Sequence, residues 1–176
     1  DLNSDKLYNQ LNNNNITISF WCRTKELSNN NNIIFYGSDN SETENINSIQ
    51  CVHLGNNELT FIVNNGGDIT DNYSVTTNMP EIDTEWTHIV FMIEIDTSYN
   101  ILDKNHKHHI YINGIHNITY ANKYYPILTS SYNFSFGNWT YTTSKQYVGD
   151  IDNIYIYNRL LTSKEIKQLY DDVNIG

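Results

Sequence analysis

Apolar and polar residues alternate with a period of two along most of this chain. Residues 151–157 illustrate the pattern, because alternate side chains of a strand point to opposite faces and both faces of this segment carry apolar or aromatic residues. Segments of this kind are separated by loops rich in Asn, Ser, Asp and Gly. Strands are predicted near residues 16–23, 32–37, 48–54, 58–64, 72–77, 86–95, 108–113, 115–121, 132–137 and 147–157.

Near the C-terminus the period changes to that of a helix. Thr162 stands three residues before Glu165, so the threonine hydroxyl can accept from the Glu165 amide while the glutamate side chain accepts from the Thr162 amide. This capping box predicts that a helix begins there. Apolar residues then recur at helical spacing and give the helix one face for docking. They are Leu161, Ile166, Leu169, Tyr170 and Val173.

One turn between predicted strands has a specific signature. A type I′ turn requires positive φ at both central residues, and the pair Asn113-Gly114 tolerates this best, so a hairpin is expected there. About ten strands followed by one short C-terminal helix predict an all-β fold of two packed antiparallel sheets. With 176 residues, the chain is expected to form a single domain over residues 1–176.

The charge of the chain narrows the classes of partner. Its formal net charge is -10, whereas nucleic acids and anionic membranes attract basic surfaces. We therefore expect no nucleic-acid binding. Membrane insertion is not expected either, since no apolar run approaches the roughly 20 residues that span a bilayer. The chain opens on Asp1 without a charged and apolar leader, so we expect that any signal peptide or upstream domain has been removed.

Five motifs follow one another in an order shared with a known family. They are ITISFW at 16–21, EWTHIV at 85–90, HIYING at 109–114, FGN at 136–138 and GDIDNIYIYNRLLTSKEIKQLY at 149–170. Together they resemble laminin-G-like, concanavalin A-like lectin domains, and the receptor-binding jelly roll of clostridial neurotoxins has a similar run. The resemblance implies a concanavalin A-like jelly-roll sandwich of two antiparallel sheets with one short C-terminal helix.

The resemblance also implies a function. We expect a non-catalytic recognition module that binds carbohydrate or glycoprotein at a cell surface. It would work with other domains of a larger secreted, toxin or surface protein, in an extracellular, cell-surface or virion-surface location. The alternative is a structural or assembly domain of a virion or surface particle that binds only protein.

Aromatic residues in loops are the candidate ligand contacts. Sugars stack their CH surfaces on aromatic faces, and amide groups bind their hydroxyls. Trp139 and Tyr141 follow Asn138 in a loop between two predicted strands, where a large aromatic residue has less reason to be buried. Tyr124 and Tyr125 are second candidates. The alternative is that these aromatic residues cover one end of the sandwich or pack under the loop.

A loop rich in oxygen ligands is the candidate metal site. Residues 66–72 include Asp68 and Asp71 among glycines and an asparagine, and Ca²⁺ prefers such carboxylate and carbonyl oxygens. The family resemblance implies calcium at the rim of the sandwich. An ordinary turn is the alternative, because Gly, Asp and Asn also favour turns.

Catalysis has one candidate motif. Glu81, Asp83 and Glu85 alternate as in the carboxylate strand of β-glucanase-type glycoside hydrolases, in which alternate side chains face one cleft. Their position favours a turn instead, because Pro80 precedes them and Trp86 begins the next family strand. A weaker copy of the motif occurs at 94–97. We therefore expect a non-enzyme, with the hydrolase as a further alternative.

Histidines offer a second candidate metal site. His106 and His108 fall on the same side of a predicted strand, with Asp103 before them, as a two-histidine site requires. The favoured interpretation is an exposed strand end. His88 and His116 are predicted to be structural, either packed or exposed at a sheet edge.

Four further residues are predicted for the core. Trp21 and Trp86 lie within family strand motifs. Cys22 and Cys51 fall in predicted strands and are too few for a disulfide framework or a structural zinc site. Buried free thiols are the favoured interpretation, and a bridge stays open if the two strands are neighbours.

Overall fold

The structure, a computed structural model, describes residues 14–26, 32–39, 48–54, 58–64, 73–78, 85–97, 105–122, 132–138 and 146–172. All ten predicted strands are confirmed, and their ends differ from the prediction by at most three residues. They are β1 (Ile16–Glu26), β2 (Asn32–Asp39), β3 (Ser48–His53), β4 (Glu58–Asn64), β5 (Tyr73–Asn78), β6 (Thr87–Glu94), β7 (His106–Ile112), β8 (Ile115–Asn122), β9 (Tyr132–Phe136) and β10 (Val148–Tyr157).

The strands form two five-stranded antiparallel sheets. The first sheet has the order β10-β1-β6-β7-β8, and the second has the order β5-β4-β3-β2-β9. The first and last strands of the chain therefore lie side by side, with Thr17 opposite Tyr157 and Ser19 opposite Tyr155. Two such sheets, packed face to face, confirm the all-β jelly-roll sandwich.

The core lies between the inner faces of the two sheets. Alternate residues of a strand share the inner face, as in β1, where Ile16, Ile18, Phe20 and Cys22 are buried together. Phe61 of β4 and Phe91 of β6 stack across the sandwich with ring centroids 4.4 Å apart. The largest fully buried side chains are Phe20, Phe35, Phe61, Phe91, Ile16, Ile18, Ile34, Ile49, Leu59, Ile89 and Ile93.

The hairpin and the cysteines agree with the sequence prediction. Asn113 and Gly114, between β7 and β8, have φ values of 51° and 74°, as a type I′ turn requires. Cys22 on the first sheet and Cys51 on the second are buried free thiols. Burial raises the pKa of Cys22 to about 12 and also raises that of Cys51, so both thiols stay protonated.

Helix α1 (Ser163–Asp171) packs on the outer face of the first sheet. The predicted capping box is present, with the Thr162 hydroxyl accepting from the Glu165 amide at 3.2 Å and the Glu165 carboxylate accepting from the Thr162 amide at 2.8 Å. Ile166 and Leu161 pack with outward-facing residues of β6 and β7, namely Val90, Met92 and Tyr111. In the part of the chain that the structure describes, no helix is long and apolar enough to cross a membrane.

Candidate functional site

The residues predicted for the ligand site fall mostly outside the described part of the chain. Asn138 is exposed just after β9, and its carbonyl oxygen accepts a hydrogen bond from the Ser135 hydroxyl at 2.8 Å. Trp139, Tyr141, Tyr124 and Tyr125 lie outside the described residues. The proposed ligand contact through this group stays a prediction.

The predicted calcium ligands cannot be placed either. Asp68 and Asp71 lie between β4 and β5, outside the described residues. Among the residues that are described, no group of three or more His, Cys, Asp or Glu side chains is arranged to hold a metal ion. The calcium site therefore stays a prediction.

A cleft of about 340 Å³ lies between β10 and α1, at the edge of the first sheet. We call it the tyrosine cleft. Its volume falls within the range of about 300 to 1,000 Å³ that is usual for small-molecule sites. Leu161 and Leu169 give it an apolar lining. Its polar and aromatic lining comes from Tyr155, Tyr157, Arg159, Glu165, Gln168 and Asp172.

Strand alternation places both tyrosines in the cleft. Tyr155 and Tyr157 are two residues apart on β10, so they share the outer face of the sheet. Their ring centroids are 6.3 Å apart and the rings are tilted by 34°. β10 is the outermost strand of its sheet, so no further described strand lies beside it with side chains that would cover the tyrosines. Tyr155 accordingly remains 42% exposed.

An ion pair closes one side of the cleft. The Arg159 guanidinium donates from Nη2 to Glu165 Oε1 at 2.7 Å and from Nη1 to Glu165 Oε2 at 3.1 Å. The Thr17 hydroxyl donates to the Arg159 carbonyl oxygen at 2.6 Å and ties this turn to β1. The hydrogen bonds from Arg159, followed by those from Thr162, lower the pKa of Glu165 to about 2. Glu165 is therefore a carboxylate at neutral pH.

Three other groups of the cleft are free to meet a ligand. Within the described residues, the side chains of Gln168 and Asp172 make no hydrogen bond, and neither does the Tyr155 hydroxyl. The cleft thus combines exposed ring surface with one free amide, one free carboxylate and one free hydroxyl. These groups suit contact with a ligand that has both CH surface and hydroxyl groups.

A second cleft, of about 320 Å³, is lined by charged residues at the β6–β7 end of the sheet. Glu94 pairs with Lys107 at 3.7 Å and with His109 at 3.1 Å. The Asp96 carboxylate accepts from the Asn105 amide at 2.8 Å. These carboxylates belong to the weaker copy of the glycosidase motif, and each already has partners that support the two strands.

The main glycosidase motif is only partly described. Glu85 is exposed and precedes β6, which begins at Thr87, so it does not lie on a strand. Glu81 and Asp83 lie outside the described residues. The part of the motif that can be placed therefore agrees with a turn.

Two predictions about exposure are wrong, one for His106 and His108 and one for Trp86. His106 and His108 are not at an exposed strand end but are 3% and 2% exposed, because the alternation of β7 turns them to the inner face. Trp86 is not in the core. It is partly exposed, and the Arg23 guanidinium lies over its ring at 5.1 Å from the centroid.

His88 has the predicted structural role. Its Nε2 lies 2.9 Å from the Ser19 hydroxyl, and its ring stacks on Trp21 with centroids 5.0 Å apart. Tyr170 of α1 also stacks on Trp21, at 5.5 Å, and its ring centroid lies 6.2 Å from that of His88, so the three rings form one cluster. Burial lowers the pKa of His88 to about 4. His116 is exposed on β8, the strand at the other edge of the sheet, and pairs with the Thr119 hydroxyl at 2.8 Å, which agrees with the edge-exposed alternative.

The tyrosine cleft was missed by the sequence analysis. Its signal is a Tyr-x-Tyr-x-Arg pattern at 155–159, immediately before a capped helix. The pattern shows that the tyrosines share a face. It does not show that the strand lies at the edge of a sheet, which decides whether they are exposed.

Comparison with solved structures gives neighbours of the same fold at low sequence identity. The receptor-binding domain of botulinum neurotoxin type G matches with a TM-score of 0.62 and 19% identity over 90% of this chain and 38% of that one. Domain 4 of AbnA, an extracellular arabinanase from Geobacillus stearothermophilus solved with arabinotriose, matches with a TM-score of 0.61 and 21% identity over 89% of this chain and 66% of that one.

A third neighbour is a carbohydrate-binding module. The CBM40 of the Ruminococcus gnavus IT-sialidase, bound to α2,3 sialyllactose, matches with a TM-score of 0.69 and 12% identity over 89% of this chain and 83% of that one. The present chain thus spans 38% of the chain of the neurotoxin receptor-binding domain and 66% of the chain of the arabinanase domain 4. No curated protein sequence matches it significantly.

A family model covers nearly the whole sequence. It is the laminin-G-like model described as the concanavalin A-like lectin/glucanases superfamily, and it matches residues 3–167. The matched region includes the ten strands and the first turns of α1. The chain therefore belongs to the concanavalin A-like lectin/glucanases superfamily.

Proposed function

We propose that this protein is a non-catalytic recognition module that binds carbohydrate, alone or as part of a glycoprotein, in the tyrosine cleft. The observation that carries the proposal is the lining of the cleft, in which two tyrosine rings stand beside a free amide and a free carboxylate. An exposed tyrosine ring offers the flat apolar surface on which the CH face of a sugar stacks. The amide of Gln168 and the carboxylate of Asp172 supply partners for its hydroxyl groups.

The solved neighbours support this class of ligand. One is a receptor-binding domain, one is an arabinanase domain solved with arabinotriose, and one is a carbohydrate-binding module with sialyllactose. We further propose that the chain works as a recognition domain within a larger extracellular, cell-surface or virion-surface protein. Asp68 and Asp71 remain the proposed calcium ligands.

The state of Glu165 supports a binding role over hydrolysis. A glycoside hydrolase needs one carboxylic acid that is protonated near neutral pH, and such acids have raised pKa values. The pKa of Glu165 is lowered to about 2 instead. Its two oxygens are also occupied by Arg159 and Thr162. In this cleft Glu165 acts as a fixed structural anion.

A glycan array with four protein forms tests the proposal. Wild type is compared with Tyr155→Ala, which removes the most exposed ring of the cleft. The matched control is Tyr120→Ala, because Tyr120 is 41% exposed and lies on β8 at the opposite edge of the same sheet. Trp139→Ala tests the loop that the sequence analysis favours. Each form is also assayed with EDTA, which tests the proposed calcium site.

Each result has a separate meaning. Loss of about 1 to 3 kcal/mol of binding free energy in Tyr155→Ala, with Tyr120→Ala unchanged, supports the tyrosine cleft. Loss only in Trp139→Ala would move the site to the loop after Asn138. If folded wild-type protein binds no glycan, carbohydrate recognition is wrong and a protein-binding assembly domain takes its place.

A further inference from the structure

We infer that the tyrosine cleft selects uncharged sugars and discriminates against sugars that carry a carboxylate. This inference rests on the proposed function and adds the chemical class of the ligand. It is based on the charges that line the cleft and on the partners that each charge already has. The distinction matters because acidic sugars, such as sialic and uronic acids, are common at cell surfaces.

The single cation of the cleft is already neutralised. Among the described lining residues, Arg159 is the only one with a positive charge. Both of its terminal nitrogens donate to the Glu165 carboxylate, and Nη1 also donates to the Leu160 carbonyl oxygen at 3.2 Å. A guanidinium binds a ligand carboxylate best through a two-bond fork, and here Glu165 occupies that fork.

The neighbouring lysine of the helix does not replace it. Lys167 forms an ion pair with Asp171 one turn later. Its ammonium also lies over the ring of Tyr170, at 5.3 Å from the centroid. Lys167 is therefore held on the Tyr170 side of the helix and is not part of the cleft lining. No described residue of the cleft lining therefore offers an unpaired cation to an acidic ligand.

Negative charge is in excess at the same place. Asp172 lines the cleft and makes no ion pair within the described residues, and the pair of Arg159 with Glu165 adds no net charge. The whole chain carries a formal charge of -10. A carboxylate on the ligand would approach this uncompensated anion, and charges of the same sign at short range weaken binding.

The same groups favour hydroxyl groups. The Asp172 carboxylate only accepts hydrogen bonds, and a sugar hydroxyl can donate to it. The Gln168 amide can both donate and accept, so it can meet either end of a neighbouring hydroxyl. We therefore expect a neutral sugar to bind at least about tenfold more tightly than the same sugar with an added carboxylate.

Paired glycans test this selectivity. Lactose-terminated glycans are compared with the same glycans capped by α2,3-linked sialic acid, and methyl α-galactoside is compared with methyl α-galacturonoside, which differs only in the carboxylate at C6. Dissociation constants are measured at low and at physiological ionic strength. Repulsion between charges is screened by salt, so the preference for the neutral partner should decrease as ionic strength rises.

One charge-removing substitution assigns the effect to the cleft. Asp172→Asn should reduce the ratio of the dissociation constants of the carboxylated and the neutral glycan by at least about threefold. Glu26→Gln is the matched control, because Glu26 is exposed at the end of β1, makes no ion pair within the described residues and is not part of the cleft. Glu26→Gln changes the net charge by the same amount and should leave the ratio of the two dissociation constants unchanged.

The outcomes separate this inference from the proposed function. The inference is supported if wild type prefers the neutral glycan of each pair, Asp172→Asn reduces that preference and Glu26→Gln leaves it unchanged. Equal or tighter binding of the carboxylated partners, lost in Tyr155→Ala, would overturn the inference while the proposed function stands. Absence of binding to every glycan of both series by folded protein would overturn the two together.

Discussion

Acidification from pH 7 to pH 4 is expected to destabilise the protein through His88. The ring is 1% exposed beneath α1, and among the described residues its Nδ1 has no hydrogen-bond partner while its Nε2 meets the Ser19 hydroxyl. A proton on this ring would place an unpaired charge between Trp21 and the helix. Burial accordingly lowers the pKa from 6.5 to about 4.

The direction and size follow from this pKa. The unfolded chain binds the proton near pH 6.5 and the folded chain only near pH 4, so the unfolded state holds more protons in that interval. The contribution of the neutral His88 ring to stability is therefore complete above about pH 6.5 and is lost as the pH falls towards 4. A shift of this size corresponds to about 3 kcal/mol of unfolding free energy. His53, whose pKa burial also lowers to about 4, adds a similar loss.

Urea unfolding at pH 7, 5.5 and 4 measures this effect. His88→Phe keeps a flat ring but cannot take up a proton. Its free energy of unfolding should therefore fall by about 3 kcal/mol less than that of wild type between pH 7 and pH 4. It will be less stable at pH 7, because the buried Ser19 hydroxyl loses its partner, and only the change with pH is compared. His116→Phe, at an exposed position, is the control. Equal pH dependence in wild type and His88→Phe would refute the reasoning.

Three further substitutions test the packing, the backbone and the helix. Phe61→Ala should lower the free energy of unfolding by about 3 to 5 kcal/mol in urea titration, because Phe61 is buried and stacks on Phe91 across the sandwich; a loss below about 1 kcal/mol would contradict this packing. Asn153 has a φ of 49°, so Asn153→Ala should lower the free energy of unfolding by about 1 kcal/mol and Asn153→Gly should change it little. Equal effects of the two substitutions in thermal melts would argue against the left-handed backbone at this position. Thr162→Ala should cost about 1 kcal/mol and raise the pKa of Glu165 in an NMR titration, while an unchanged pKa would show that the capping box is not formed.

Local patterns in the sequence were enough to predict the elements of the fold. Alternation located the ten strands, Asn113-Gly114 located one hairpin, and the spacing of Thr162 and Glu165 located the start of α1. Each of these signals depends on interactions between residues close in sequence. That is why they can be recognised without knowing which strands are neighbours.

The errors concern positions that are decided by pairing across the chain. His106 and His108 lie in a polar run, which suggests exposure, yet both share a face of β7 with Ile110, and the packing of the second sheet against that face buries them. The tyrosine cleft has the same origin. It exists because β10 pairs with β1 and no strand of the described residues pairs with its other side, and no local pattern around Tyr155 contains that fact.

The most direct test of the central claim is an NMR titration of the protein with the neutral glycan that binds most tightly in the array. The account predicts that backbone amide shifts concentrate on Tyr155 to Arg159 and on Glu165 to Asp172, and that Tyr155→Ala weakens binding in the same titration by about 1 to 3 kcal/mol. Shifts concentrated instead around Asn138 and the loop that follows it, with residues of the tyrosine cleft unaffected, would contradict the account.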